Sequence, residues 1–164
     1  MDPLIELFDR IPPLVDRVVD GLTTTELSTP PVEGANTIAW LVWHLTRIQD
    51  DHVAGVADRP QVWEEAEWAE RFGLPVDSMD TGYGHDVDQV LGVQPEPDAL
   101  TEYHHAVAAR TTAFLQGLDP TELDRVVDER WDPPVTLGVR LASVASDDLQ
   151  HVGQAAYVRG LLGN

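Results

Sequence analysis

In the segment Asp147-Asp148-Leu149-Gln150-His151-Val152-Gly153-Gln154, a carboxylate and an imidazole stand four residues apart. On a helix, positions i and i+4 project from one face, so Asp147 and His151 are able to grip one ion. Gln154 follows Asp147 by seven residues and falls nearly on the same line. The surroundings are small and apolar: Leu141, Val144, Ala145, Val152, Ala155 and Ala156. A carboxylate and an imidazole on the inward edge of such a helix cost several kcal/mol of desolvation unless they are paired or ligated. The plainer alternative is a solvated Asp147 and a packed core His151. A second segment, WLVWHLTRIQDDHVAG, places His44 three residues after Leu41 and four before Ile48, on the border of an apolar stripe. Asp51 lies seven residues on and shares its line; His52, eight on, is near the same face. A lone histidine there either packs or ligates. If the two helices face one another, His44, Asp147 and His151 would make a 2-His-1-carboxylate set. Three protein ligands with open positions is the pattern of a catalytic rather than a structural metal. Mixed N and O ligands suit Zn²⁺ and also accept Ni²⁺, Fe²⁺ or Mn²⁺.

Other residues invite chemistry, each with a plainer reading beside it. His104 shares a face with Leu100, Val107 and Thr111, as a core residue, a support for a site, or a substrate contact; His105 follows it. His85, in TGYGHD, either reaches a pocket mouth or is a solvated loop residue. Trp63 and Trp68, five apart, do not share a helical face, and at least one should pack the segment that bears them onto the core. Trp40 and Trp43 flank His44 and are read as packing. The acidic run EEAEWAE reads as a solvated face. Arg47 and Arg159 could meet a carboxylate or simply pair with an Asp.

Four stretches with helical periodicity must position these groups. Leu4, Phe8, Ile11, Val15, Val18 and Leu22 form the first, interrupted by Pro12 and Pro13. The second follows Asn36, a candidate cap, with Ile38, Leu41, Leu45, Ile48, His52 and Val56 as its stripe. The third runs from 97 to 117, with Leu100, Tyr103, Val107, Thr111, Phe114 and Leu118 inward. The fourth follows Thr136, another candidate cap, and ends at Gly163, with Leu141, Val144, Val152, Ala155, Val158 and Leu162 inward. Between the second and third lie about forty residues, Asp58 to Asp98, a length that marks a crossover or a functional segment. It holds a short helix, QVWEEAEWAERF, and glycines at 82 and 84. Asp119-Pro120 reads as a cap and first helical position, and RWDPPV as extended. No alternation supports a sheet. The expected fold is all-α: an up-down four-helix bundle with one long crossover, as a single domain over 1–164.

The chain has 164 residues, 43% hydrophobic, which suffices for one core. Ten basic against 29 acidic residues give −19. Such a surface repels phosphate backbones and anionic headgroups, so nucleic acid and membrane are not expected partners. No apolar run approaches membrane-spanning length, and the N-terminus lacks a signal-peptide pattern. With no cysteine there is no disulfide, no thiolate zinc ligand and no thiol nucleophile. A cytoplasmic location is expected. All ten basic residues are Arg, a usage that points to a GC-rich bacterial genome.

Two segments carry a family resemblance: NTIAWLVWHLTRIQDDH and DDLQHVGQAAYVRGLLG. Across essentially its whole length the chain resembles the DinB/YfiT-like superfamily of metal-binding four-helix bundles. Members carry one His on helix two and His-x-x-x-His on helix four; here Asp147 stands at the first helix-four position. The N-terminal domain of mycothiol-dependent maleylpyruvate isomerases is similar in having a carboxylate there. Those relatives have a further C-terminal domain without counterpart in these 164 residues, so their isomerase activity is not carried over. The resemblance implies His44, Asp147 and His151 as ligands of a divalent ion, with Asp148 the alternative if the helix is rotated. It implies a small-molecule thiol, mycothiol in a GC-rich bacterium, as co-substrate of an S-transferase acting on an electrophile that enters beneath the crossover. Gln154, His52 and His85 are the candidate contacts for that cofactor; no general acid stands out. The alternatives are a non-catalytic, stress-associated metal-binding bundle and a metal-dependent hydrolase. A homodimer is left open.

Overall fold

Thr37, one residue after the expected cap, starts the helix that bears His44: its hydroxyl accepts from Trp40 N, and the backbone is extended there (φ −86°). An Oγ at the N-cap satisfies one of the amides that the first helical turn leaves without a carbonyl. In the computed structural model, which describes residues 3–65, 68–74 and 79–163, this helix is α4 (Ile38–Ala57). Before it come α1 (Pro3–Asp9), α2 (Ile11–Val19) and the single turn α3 (Thr24–Leu27). The break between α1 and α2 falls at Arg10, which lets Pro12 and Pro13 sit in the first turn of α2, where their missing N–H groups cost no helical bond.

The crossover follows as three short helices: α5 (Val62–Glu65), α6 (Trp68–Arg71) and α7 (Val87–Leu91). Part of the acidic run, Ala66 and Glu67, and residues 75–78 of the crossover lie outside the described residues; Glu64, Glu65 and Glu70 are exposed. Then come α8 (Pro97–Gln116), a 3-10 turn (Pro120–Asp124) capped by Asp119, the hairpin β1 (Val126–Asp128) and β2 (Val135–Thr136), and α9 (Leu137–Leu162). Thr136 caps α9 through Val139 N, and Gly163 closes it at φ +80°, a conformation open to glycine at no steric cost. The RWDPPV stretch, expected only as extended, belongs to the turn of this antiparallel hairpin, the one sheet among the described residues.

α4 packs against α8 and α9, and the α1–α2 pair packs against the other sides of both. The result is the expected all-α four-helix bundle, with the long crossover between its second and third long helices. Leu41, Leu45, Leu100, Leu137 and Leu141 are fully buried between them, each worth about 2 kcal/mol in transfer alone. Trp63 and Trp68 are both buried and both pack on Tyr103 of α8, with ring centroids 5.3 and 5.1 Å away.

A buried polar cluster ties the crossover down. Asp50 Oδ1 and Oδ2 accept from the backbone N–H groups of Val62 and Trp63 (both 2.9 Å), and Tyr103 Oη–H donates to Oδ2 (2.8 Å). Arg47, fully buried, donates to Gln61 Oε1 (2.7 Å), Tyr103 Oη (3.1 Å) and the carbonyl of Asp80 (3.1 Å). Arg47 therefore holds the chain rather than a ligand. Arg159, the other expected carboxylate partner, donates to the carbonyls of Arg17 and Val18 at the end of α2.

Candidate metal centre

Because Arg47 grips the crossover at Asp80, the next residues pass directly over α4. Thr81 O accepts from His44 Nδ1 at 2.5 Å. A carbonyl only accepts, so Nδ1 carries the proton and Nε2 is left with a lone pair. Gly82 allows this approach: a Cβ there would lie 2.8 Å from Trp43 Cζ3 and 3.0 Å from His44 Nδ1, at φ +88°. Trp40, one helical turn before His44, stacks on its ring, with centroids 4.6 Å apart and planes within 9°.

α9 supplies the other groups. His151 Nδ1 donates to Gln154 Oε1 at 2.8 Å, and its Nε2 lies 3.5 Å from Asp147 Oδ1. The His44 and His151 rings meet edge-on with centroids 4.8 Å apart. One ligand atom from each of His44, Asp147 and His151 lies within 4.8 Å of the others. Both imidazoles thus have a protein acceptor on Nδ1 and direct Nε2 chemistry to the shared space, the arrangement typical of metal-ligating histidine.

A further observation tests whether a cation fits. Asp147 Oδ2 is buried and has no hydrogen-bond partner. A buried carboxylate oxygen without a donor is costly, and a divalent ion among the three groups would supply the missing partner. The protonation states agree. Burial lowers the His44 pKa, so its imidazole is neutral. Burial alone would raise Asp147, but the hydrogen bond and charge of His151, with His44 and His52 nearby, hold it below the usual carboxylate range. The bond that its Nε2–H donates to Asp147 raises His151, so a cation binding here would displace a proton.

Asp148 turns away from this cluster: it is fully buried, neither oxygen has a partner, and burial raises its pKa well above the ordinary value. His85 lies beside the cluster with both nitrogens engaged. Nδ1 accepts from Trp40 Nε1 (3.1 Å), and Nε2 bonds Asp80 Oδ2 (2.5 Å). His52 Nδ1 accepts from Arg140 Nη1 at 2.9 Å. His104 is buried in the core against Thr46 Oγ1 (3.1 Å), its pKa lowered by burial to about 3. His105 makes a surface pair with Asp16.

A cleft of about 730 Å³ opens beside these three residues, with His44, Asp147, His52, Tyr83, Trp131 and Arg140 among its walls. Sequence reasoning missed its hairpin side. One signal was available: Arg140 precedes Asp147 by seven residues and so shares its helical line.

The model of the DinB superfamily matches residues 7–155. The chain belongs to the DinB superfamily. A conserved protein from Enterococcus faecalis of known crystal structure is similar at 30% identity and a TM-score of 0.88, over 97% of this chain and 94% of that one. YfiT from Bacillus subtilis, described as a probable metal-dependent hydrolase with an unusual four-helix bundle topology, shares the fold at 18% identity and a TM-score of 0.66, over 99% of this chain and 87% of that one. No curated protein matches in sequence. Among the described residues of this DinB-superfamily chain, no helix is long and apolar enough to cross a membrane.

Proposed function

We propose that this chain is a divalent-metal enzyme that activates a small-molecule thiol, with mycothiol as donor, for transfer to an electrophile held in the adjoining cleft. The observation that carries the reading is a three-ligand set, each imidazole oriented through Nδ1, bordering a cleft large enough for an organic molecule. Structural metal sites are closed by four protein ligands, whereas three leave positions for a reactant. When bound, the ion supplies Lewis acidity that brings a thiol pKa down from its ordinary ~8.5.

The chain's own residues do the rest. His44 and His151 offer Nε2 in fixed orientations, held by Thr81 and Gln154. Asp147 offsets half of a divalent charge. Trp40 and the crossover shield His44 from solvent. The chain has no cysteine, so any thiol comes from outside. The cleft also speaks against a purely structural bundle, which needs no room for an organic ligand. The likeness to YfiT supports a second reading, hydrolysis, in which water takes the place of the thiol.

Metal-loaded protein incubated with mycothiol and a panel of generic electrophiles tests the proposal. Conjugate formation that requires both metal and thiol supports it. Ester or amide cleavage without thiol replaces it with the hydrolase reading. No turnover and no thiol binding, with the ion demonstrably present, leaves a non-catalytic metal-binding bundle.

A further inference from the structure

The cleft has a second end. α4 and α9 run antiparallel here: His44 faces His151, and two turns further along α4 His52 meets Arg140. Eight residues separate His44 from His52, roughly 12 Å along a helix. At this far end Arg140 Nη2 donates to Asp128 Oδ2 at 3.0 Å. Arg130 donates to the same carboxylate through Nε (2.9 Å, to Oδ1) and Nη2 (2.8 Å, to Oδ2). Two guanidiniums therefore share one counter-charge. His52 adds no charge, because burial and the adjacent Arg140 hold its pKa down. Asp51 approaches His52 at 4.0 Å but accepts from Gln61 Nε2 and does not line the cleft. Among the described residues, Arg130 Nη1 and Arg140 Nε have no hydrogen-bond partner.

The rim at this end is apolar. Trp131 is 64% exposed and Tyr83 91%, and both line the cleft with Val139. Pinning of the hairpin to α9 explains why Asp128 holds both arginines. It does not explain an indole left in water over the end of an open cleft where two guanidiniums face one carboxylate, in a molecule of net charge −19. An anion approaching so acidic a surface is repelled at long range, so it is retained only where cations meet it locally. The planar fork of arginine matches a carboxylate, and a tryptophan face suits a flat apolar body.

We propose that Arg130, Arg140 and Trp131 form a subsite for the carboxylate and adjoining planar body of a small unsaturated or aromatic acid, whose other end points toward His44 and Asp147. This names a substrate class for the enzyme proposed above and to that extent rests on that reading, but the subsite itself requires no metal.

The test uses the full chain, stripped of metal by a chelator and, in parallel, loaded with Zn²⁺. Binding of cinnamate is compared with that of its uncharged amide, cinnamamide, by following the indole ¹H–¹⁵N resonance of Trp131, assigned with Trp131→Phe. The expected result is that cinnamate shifts this resonance in both preparations and binds at least tenfold tighter than the amide. Arg140→Gln and Arg130→Gln should each weaken cinnamate several-fold and leave the amide unmoved. Arg130 is 85% exposed, so its variant remains a sound test if Arg140→Gln does not fold. Equal affinity for acid and amide overturns the proposal, as does undiminished cinnamate binding by the variants. Binding that needs Zn²⁺ and ignores both arginines also overturns it, because the acid is then only a metal ligand. A Trp131 resonance buried by a second copy of the chain and indifferent to cinnamate overturns it too. If Zn²⁺ fails to bind while cinnamate still does, the metal reading fails and the subsite stands.

Discussion

His151 can serve as a ligand through Nε2 only while its proton sits on Nδ1, and Gln154 Oε1 at 2.8 Å keeps it there. Gln154→Leu removes that acceptor without removing a ligand. Zn²⁺ affinity should fall about 10- to 100-fold, the range found for partners that orient metal-bound histidines. Competition with a chromophoric chelator measures this, and stoichiometry at saturation should be unchanged; equal affinity would show that Gln154 does not act through His151. Asp148 poses the opposite problem. It is fully buried with neither oxygen partnered, and burial raises its pKa well above normal. The native state therefore binds a proton that the unfolded chain releases near ~3.9. With the folded pKa above the unfolded one, the stability tied to that proton is complete below ~3.9 and is lost as pH rises through the folded value. Asp148→Leu, with the same branching at Cγ and no polar atoms, should be more stable at pH 7 by about 1–4 kcal/mol and should lack this slope. Urea melts from pH 4 to 8 test it, and parallel curves for the two proteins would contradict it.

At the scale of elements, the crossover sets the site as much as the long helices do. Gly82→Ala places a methyl against Trp43 and the His44 ring and needs φ +88° from a residue with a Cβ. It should destabilise the fold by about 1–3 kcal/mol and weaken metal binding by moving Thr81 off His44. A thermal melt and a metal titration check both, and an unaltered metal affinity would mean that the crossover does not hold His44. The four long helical segments were legible in the sequence because each buries a stripe at steps of three and four, and Thr136 and Gly163 announce the ends of α9 with the expected chemistry. Asn36 was not the cap; Thr37 is, one residue later, because its Oγ reaches Trp40 N. The path of the crossover was illegible for a physical reason. It depends on Arg47 and Asp50 reaching across 12 to 33 residues to Gln61, Val62 and Asp80, and such partners leave no periodic trace. The same reason hid the buried role of Arg47 and the bonds that occupy both nitrogens of His85. The cluster of His44, Asp147 and His151 could be read because two of its members share one helix at i and i+4 and the third borders an apolar stripe. Arg130, Trp131 and Asp128 were missed because a short hairpin with irregular register has no sequence period.

For the whole molecule, a net charge of −19 on 164 residues makes the compact state repel itself. Added salt should raise its melting temperature between low ionic strength and ~0.5 M, where the Debye length falls below 10 Å. A flat or falling salt response would show that local pairs, such as Arg130 and Arg140 with Asp128, outweigh the net repulsion. The bundle, the crossover and the charged surface all serve one claim, that α4 and α9 together hold a divalent ion. That claim is tested most directly by metal analysis of protein loaded with Zn²⁺ and desalted. The native chain should retain one ion, and the His44→Ala, His151→Ala double variant, with its helical circular dichroism intact, should retain none. Full retention of the ion by the double variant would contradict the assignment.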